Sequence, residues 1–341
     1  MTRSLARSTL TRRSLLAAAL VAGPAVMLAS CSSGTASRGG TASAAADLVI
    51  GMTYTPNVQF APFYMAANAG EYADGVSLRH HGAQEGQFDA LLAGTEHLVV
   101  ASADEAVVAA SRGNDLVVVG GYYQRYPGSI IVPEDSTITA LANLKGRRLG
   151  VPGRTGSTWF TVQLALETAG LSESDVDVQE IGFTQQAALV SGKVDAISGF
   201  TNNDAVQLAQ NGLPVRTIDV APQVPLVGAS LVTTRALLDT RREDLAAAVT
   251  ASVAGMELFV ADPDGAVEAT RAYVTDLVDG TQAARAREVA NATAALVKPD
   301  ADTVVGSLTS EHVGEMIDFL AGHGLLGETT PSTDEVCDPL S

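Results

Sequence analysis

Leu91-Leu92-Ala93-Gly94, the apolar run Leu98-Val99-Val100-Ala101, then Glu105-Ala106-Val107 and Arg112-Gly113 form a unit that the chain uses twice. Leu189-Val190-Ser191-Gly192 is followed by an apolar run from Val194 to Ser198, by Asp204-Ala205-Val206 and by Asn211-Gly212. A glycine that closes a helix before a strand is common in itself. An acid-Ala-Val triplet after both strands is a stronger echo. Gly192 lies 98 residues after Gly94 and Ala205 lies 99 after Ala106, so the second copy carries one inserted residue. We read two similar α/β domains, each presenting a strand-to-helix loop. In open α/β sheets ligands bind beyond the carboxyl ends of the strands, so these loops are expected to face each other.

Outward from this echo, short apolar runs alternate with helical stretches, the signature of α/β layers. Strands are expected at 48–52, 76–80, 98–101 and 116–120, with helices at 63–70, 86–92 and 105–111. A second series has strands at 148–151, 176–181, 194–198 and 215–218, with helices at 158–169, 185–190 and 204–210. Beyond about Leu238 the chain is Ala-rich and helical, with breaks at Pro263 and Pro299.

The composition narrows the function. The 341 residues are 46% hydrophobic and 5% aromatic, and 21 Lys+Arg against 38 Asp+Glu give a formal net charge of −17. That field repels nucleic acid and anionic lipid. The two cysteines, Cys31 and Cys337, make neither a zinc cluster nor a disulfide framework. Cys337 is expected to be an unpartnered thiol in a polar C-terminal tail. The five histidines (His80, His81, His97, His312, His323) form no metal-binding spacing, and no Gly-x-Ser-x-Gly elbow occurs. No catalytic residue, metal or cofactor is expected.

The first thirty residues read as an address. Arg3, Arg7, Arg12 and Arg13 precede an apolar run from Leu15 to about Leu28, the pattern of an export signal. Thr11-Arg12-Arg13-Ser14-Leu15-Leu16 fits the twin-arginine form. Leu28-Ala29-Ser30-Cys31 resembles a bacterial lipobox, whose cysteine is acylated. Residues 31–46 are rich in small residues and read as a flexible tether.

The segment Thr53-Tyr54-Thr55-Pro56-Asn57-Val58-Gln59-Phe60-Ala61-Pro62-Phe63-Tyr64-Met65-Ala66 is similar to the Asp-Trp-x-Pro-Asn element and following Tyr-x-Ala helix of thiamine-pyrimidine-precursor binders. Asn143 to Pro152 resembles the opening of the second domain across that family. Leu189 to Ala196 matches its Leu-x-x-Gly-Lys-Val-Asp-Ala element. Gly199-Phe200-Thr201-Asn202-Asn203-Asp204 resembles Gly-Tyr-Trp-Asn-x-Glu. Over about residues 47–325 the chain therefore resembles the solute-binding lipoproteins of ABC importers, the family that includes pyrimidine-precursor, nitrate and alkanesulfonate binders. Thr53 and Phe60 depart from the pyrimidine binders' Asp and His.

The resemblance implies an α/β, two-lobed periplasmic-binding-protein fold of type II with the ligand cleft between lobes. Crossings near Ile130–Pro133 and Val227–Val232 give one lobe of 47–131 plus 229–325, a second of 132–228, and a tail at 326–341. It also implies a small-molecule ligand, a permease and ATPase as partners, an anchor through lipidated Cys31 outside the cytoplasmic membrane, and a monomer. A thiamine pyrimidine precursor is the first ligand class. A riboflavin-like aromatic, or nitrate and alkanesulfonate, are the others. A scaffold lipoprotein without a ligand, and a pyrimidine-biosynthesis enzyme, are readings of other classes.

Aromatic residues crowd the strand ends and the loops beyond them. Tyr54, Phe60, Tyr122, Tyr123, Tyr126, Trp159 and Phe200 offer flat surfaces for a planar ring, or fill core and hinge contacts. Asn57, Gln59, Ser102, Asn202 and Asp204 offer directional hydrogen bonds. Asp204 serves equally as the cap of the following helix. The Gly153-Arg154-Thr155-Gly156-Ser157-Thr158 loop, between strand and helix, has free N–H groups that suit an oxyanion; Gly156 and Ser157 are its candidate contacts, and a tight turn with a helix cap is the alternative.

Overall fold

A computed structural model describes residues 47–82 and 85–340; the expected export signal, the acylation site Cys31 and the tether lie outside them. The chain begins with β1 (Leu48–Met52), α1 (Ala61–Ala69), β2 (Val76–His80), α2 (Asp89–Leu92), β3 (Leu98–Ser102), α3 (Ala103–Ala110) and β4 (Val117–Gly121). It continues as β5 (Gly128–Pro133), β6 (Arg148–Val151), α4 (Ser157–Ala169), β7 (Asp177–Glu180), α5 (Gln185–Val190), β8 (Ala196–Phe200), α6 (Val206–Gln210) and β9 (Val215–Ile218). Then follow β10 (Ala229–Thr233), α7 (Arg235–Ala261), α8 (Pro263–Thr270), α9 (Gly280–Val297), α10 (Ser310–Gly322) and α11 (Thr333–Val336).

These strands form two sheets, ordered β2-β1-β3-β10-β4 and β7-β6-β8-β5-β9. The two orders are one pattern. β1 pairs in parallel with β2 and β3, as β6 does with β7 and β8. In each sheet the antiparallel member is the strand that has crossed from the other half: β10 lies between β3 and β4, and β5 between β8 and β9. β3, β4 and β5 are almost wholly buried, which their unbroken Val/Ile/Leu/Gly runs allow because both sheet faces are covered. The two connections run side by side. The N–H groups of Tyr122 and Tyr123 both donate to the Ala229 carbonyl, at 3.0 and 2.9 Å, and the N–H of Ala103 donates to the Gly228 carbonyl at 2.9 Å.

The repeated unit folds twice in the same way. Gly94 and Gly192 both take left-handed backbone, φ 74° and 67°, after α2 and α5, where a side chain would be strained. The inserted residue of the second copy also has a structural form. Ser102 leads directly into α3, whereas Phe200 leads into a single π-helical turn, Thr201–Ala205, before α6. One additional residue in a first helical turn produces this wider winding.

Residues 326–340 correct an expectation. Val336 and Cys337 are buried, Cys337 bridges to Val118, and the N–H groups of Asp338 and Leu340 donate to the carbonyls of Val118 and Val119 at 3.0 and 2.8 Å. Arg235 and Arg242 hold the Asp338 carboxylate at 2.7 and 2.5 Å. The segment is a strap along the edge strand β4, because an edge offers unpaired backbone groups and its apolar residues can be buried there. Burial pushes the Cys337 thiol above its ordinary value.

Candidate ligand cleft

The loops beyond β3 and β6 meet across the junction of the two lobes. At the N-terminus of α4 the Ser157 N–H donates to Glu105 Oε1 at 3.0 Å, and the Ser157 hydroxyl donates to Asp104 Oδ1 at 2.8 Å. Ser102 Oγ lies 3.2 Å from that hydroxyl. The Tyr126 hydroxyl lies 2.9 Å from Asp104 Oδ2 and 3.0 Å from the Ser157 carbonyl. Gln87 donates its side-chain amide to Glu105 Oε2. Asp104 is fully buried, and desolvation, then the Glu105 charge, raises its carboxyl to about 7 against the opposing bonds from Ser102, Ser157 and Tyr126. Gly156 precedes α4 at φ 76°, and a Cβ there would stand 3.0 Å from Glu105 Oε1.

The expected stacking surfaces are divided by burial. Tyr122 is 1% exposed, donates to the Gln59 carbonyl at 2.5 Å and meets Phe63 edge-on. Trp159 is 4% exposed, and the Arg154 guanidinium lies 4.9 Å above its ring. Phe60 is buried edge-on to His80. Phe60, Tyr122 and Trp159 are therefore core residues rather than open faces, since each side chain packs into a hydrophobic cluster. Tyr123 spans the junction, its hydroxyl accepting from Asn202 Nδ2 at 3.1 Å. Phe200 is half-buried at the end of β8. Tyr54 remains open, 60% exposed beyond β1. Sequence reasoning missed Phe183, 94% exposed beyond β7; its signal was an aromatic directly between a strand end and a helix.

The polar residues also separate into roles. Asp204 turns back onto its own strand, Oδ2 accepting from the Phe200 N–H at 2.9 Å and Oδ1 from Gln186 at 3.1 Å. It closes the π turn. Asn202 is buried and joins the lobes, donating to Tyr123 and to Thr293 Oγ1 on α9, the latter at 3.0 Å. Asn57 caps the short turn that follows it, accepting from the Gln59 N–H at 2.9 Å. Asn57 and Gln59 also line a cavity of about 320 Å³ between the lobes. Asn203, Gln207, Gln210 and Asn211 form its second-lobe wall, while Gln282, Arg285 and Val289 of α9 complete the first-lobe wall. The π turn places Asn203 on this wall; no periodicity pointed to the Gln/Asn face of α6, because it reads as a solvated helix surface.

Residues 57–266, which take in the junction from Asn57 to Asp204, match the family model described as NMT1: NMT1/THI5 like. The chain belongs to this family. It is 31% identical over 234 residues, 67% of each chain, to "Riboflavin-binding protein RibY" of Chloroflexus aurantiacus. It is 32% identical over 100 residues, 29% of this chain and 32% of the relative, to a "Putative thiamine biosynthesis protein" of Haemophilus influenzae. Among solved structures, the periplasmic aliphatic sulphonate binding protein SsuA from Escherichia coli matches with TM-score 0.68 at 17% identity, covering 85% of this chain and 91% of that one. This member of the NMT1/THI5-like family thus has the periplasmic-binding-protein fold, with a sheet in each half.

Proposed function

We propose that the protein is the extracytoplasmic solute-binding component of an ABC importer, anchored through Cys31, and that it captures an uncharged planar nitrogen heterocycle of the riboflavin type. The observation that carries this reading is the inter-lobe cavity. Its wall holds seven side-chain amides, drawn from both halves of the chain. Amides donate and accept, as the mixed carbonyl and imino edges of such rings require. A volume of about 320 Å³ lies at the lower end of the roughly 300–1,000 Å³ usual for small-molecule sites. A tricyclic ring uses that space more fully than a single pyrimidine. The relationship to a riboflavin binder supports the same choice. A thiamine pyrimidine precursor is the second reading, favoured by the Tyr54–Asn57 element and by the shorter match to a thiamine biosynthesis protein. Binding and handover to a permease, rather than catalysis, is the proposed activity.

The full chain is titrated with riboflavin, an aminopyrimidine, methanesulfonate and nitrate while its melting temperature is followed. Riboflavin at about 100 times its Kd stabilises the fold by about 2.7 kcal/mol, and quenching of its fluorescence reports the same affinity. If both ring compounds leave melting unchanged while an anion raises it, this reading is wrong.

A further inference from the structure

We infer that Arg285 sets the polarity of the solute: its guanidinium selects a molecule that turns carbonyl or other acceptor atoms towards it in the inter-lobe cavity, and rejects one that turns an amino group there. An amide offers a donor at one end and an acceptor at the other, and a half-turn about its last bond exchanges them. The amide wall therefore suits either kind of edge. A guanidinium only donates, through five N–H groups in a fixed plane. Among the described residues that line the cavity, Arg285 carries the one charge, and none carries a carboxylate that would favour a donor.

The donors of Arg285 are also the least occupied. It is half-buried on the second turn of α9, three residues after Gln282 on the same face. Its Nη2 reaches the second-lobe wall, donating to the Gln210 carbonyl at 3.5 Å, a long bond. Among the described residues no carboxylate pairs with it, whereas Arg287, two residues on, holds Asp264 at 2.5 Å. The wall amides are more engaged. Asn57 Nδ2 donates to the Thr55 carbonyl at 2.9 Å, and Gln207 Nε2 to Asn203 Oδ1 at 2.6 Å. Gln210 Nε2 is shared between the Arg285 carbonyl and Glu288 Oε2, at 3.0 and 2.7 Å. A hydrogen bond from a charged donor is roughly twice as strong as one from an amide, so Arg285 decides which edge is preferred. A riboflavin-type ring offers it two carbonyls; the amino group of a thiamine-type pyrimidine sets N–H against N–H. This inference rests on the binding reading of the cavity and separates its two heterocycle classes.

Full-length wild type, Arg285→Lys, Arg285→Gln and Arg285→Glu are titrated with riboflavin, 4-amino-2-methylpyrimidine and methanesulfonate, and the melting of each solute-free protein is recorded. Wild type is expected to prefer riboflavin to the aminopyrimidine. The ratio of the two affinities should fall least in Arg285→Lys, which keeps a donor-only cation, roughly tenfold in Arg285→Gln, and further in Arg285→Glu. A merely structural role would lower both affinities together and leave the ratio alone. An unchanged ratio, or a wild type that prefers the aminopyrimidine, overturns the inference while riboflavin binding stands. Where the aminopyrimidine binds too weakly to measure, a tenfold loss of riboflavin in Arg285→Gln against its retention in Arg285→Lys decides. The lysine and glutamine variants carry the test if Arg285→Glu does not fold. If wild type binds methanesulfonate alone and Arg285→Gln loses it, the flavin reading falls and the role of Arg285 stays; if Arg285→Gln keeps it, both fall. Binding of none of the three also removes both.

Discussion

Asp104 lies wholly out of water beside the Glu105 charge, and its protonation makes the lobe junction sensitive to pH. Its carboxyl is raised from 3.8 in free form to about 7 in the folded chain. Between those values the folded chain binds more protons than the unfolded one, so the stability this group contributes falls as pH rises and levels off above 7. Asp104→Asn is always neutral. Its melting temperature relative to wild type should therefore climb from pH 5 to pH 8; a difference constant across that range would contradict the assignment. The cavity walls give a second expectation. Gln59→Ala and Gln207→Ala, on opposite walls, should each weaken binding of the proposed riboflavin-type solute roughly two- to tenfold, with little change in melting, as measured by fluorescence titration. At this scale the sequence was only partly legible. Tyr54 reads correctly as a strand-end aromatic with an open face, but Trp159 and Tyr122 have the same local signature and lie in the core. Side-chain exposure depends on what packs from distant segments, such as Arg154 over Trp159, and spacing does not carry that information.

The π turn at Thr201–Ala205 is an element whose existence follows from arithmetic on the repeated unit, though its geometry does not. One residue more than the first copy must be absorbed, and the helix absorbs it by widening rather than by looping out. Deleting Asn203 should restore ordinary winding and rotate the residues before it by about 100° relative to α6. The expected result is a folded protein by circular dichroism that no longer binds riboflavin; unchanged binding would mean that the turn does not shape the site. The strap at 334–340 was illegible because its partner, β4, lies more than two hundred residues away. Val336, Cys337 and Leu340 looked like isolated apolar residues in a polar tail. Truncation after Pro331 removes the buried Val336, worth about 1.5–3 kcal/mol. It also removes the contacts of Asp338 with Arg235 and Arg242. We expect melting to fall by several degrees, measured calorimetrically.

Across the whole molecule, the doubled α/β plan was readable because a glycine, a strand and an acid-Ala-Val triplet recur at nearly constant offset. Crossings were expected near residues 130–133 and 227–232, but the first segment lies within β5 and the second enters β10, interior strands of the two sheets, and periodicity within a strand does not say which sheet receives it. Ser102 and Ser157 offer a direct test of lobe movement, since their hydroxyl oxygens lie 3.2 Å apart across the junction. A Ser102→Cys/Ser157→Cys variant should cross-link under oxidation and lose binding of the proposed riboflavin-type solute, and reduction should restore it. Equal binding in both redox states would show that the lobes need not part. The two connections through 122–127 and 219–228 lie against each other, and each is gripped on both flanks by the sheet that receives it. A body joined by two adjacent pins instead of one resists swivelling, so the walls that face each other across the cavity keep one alignment.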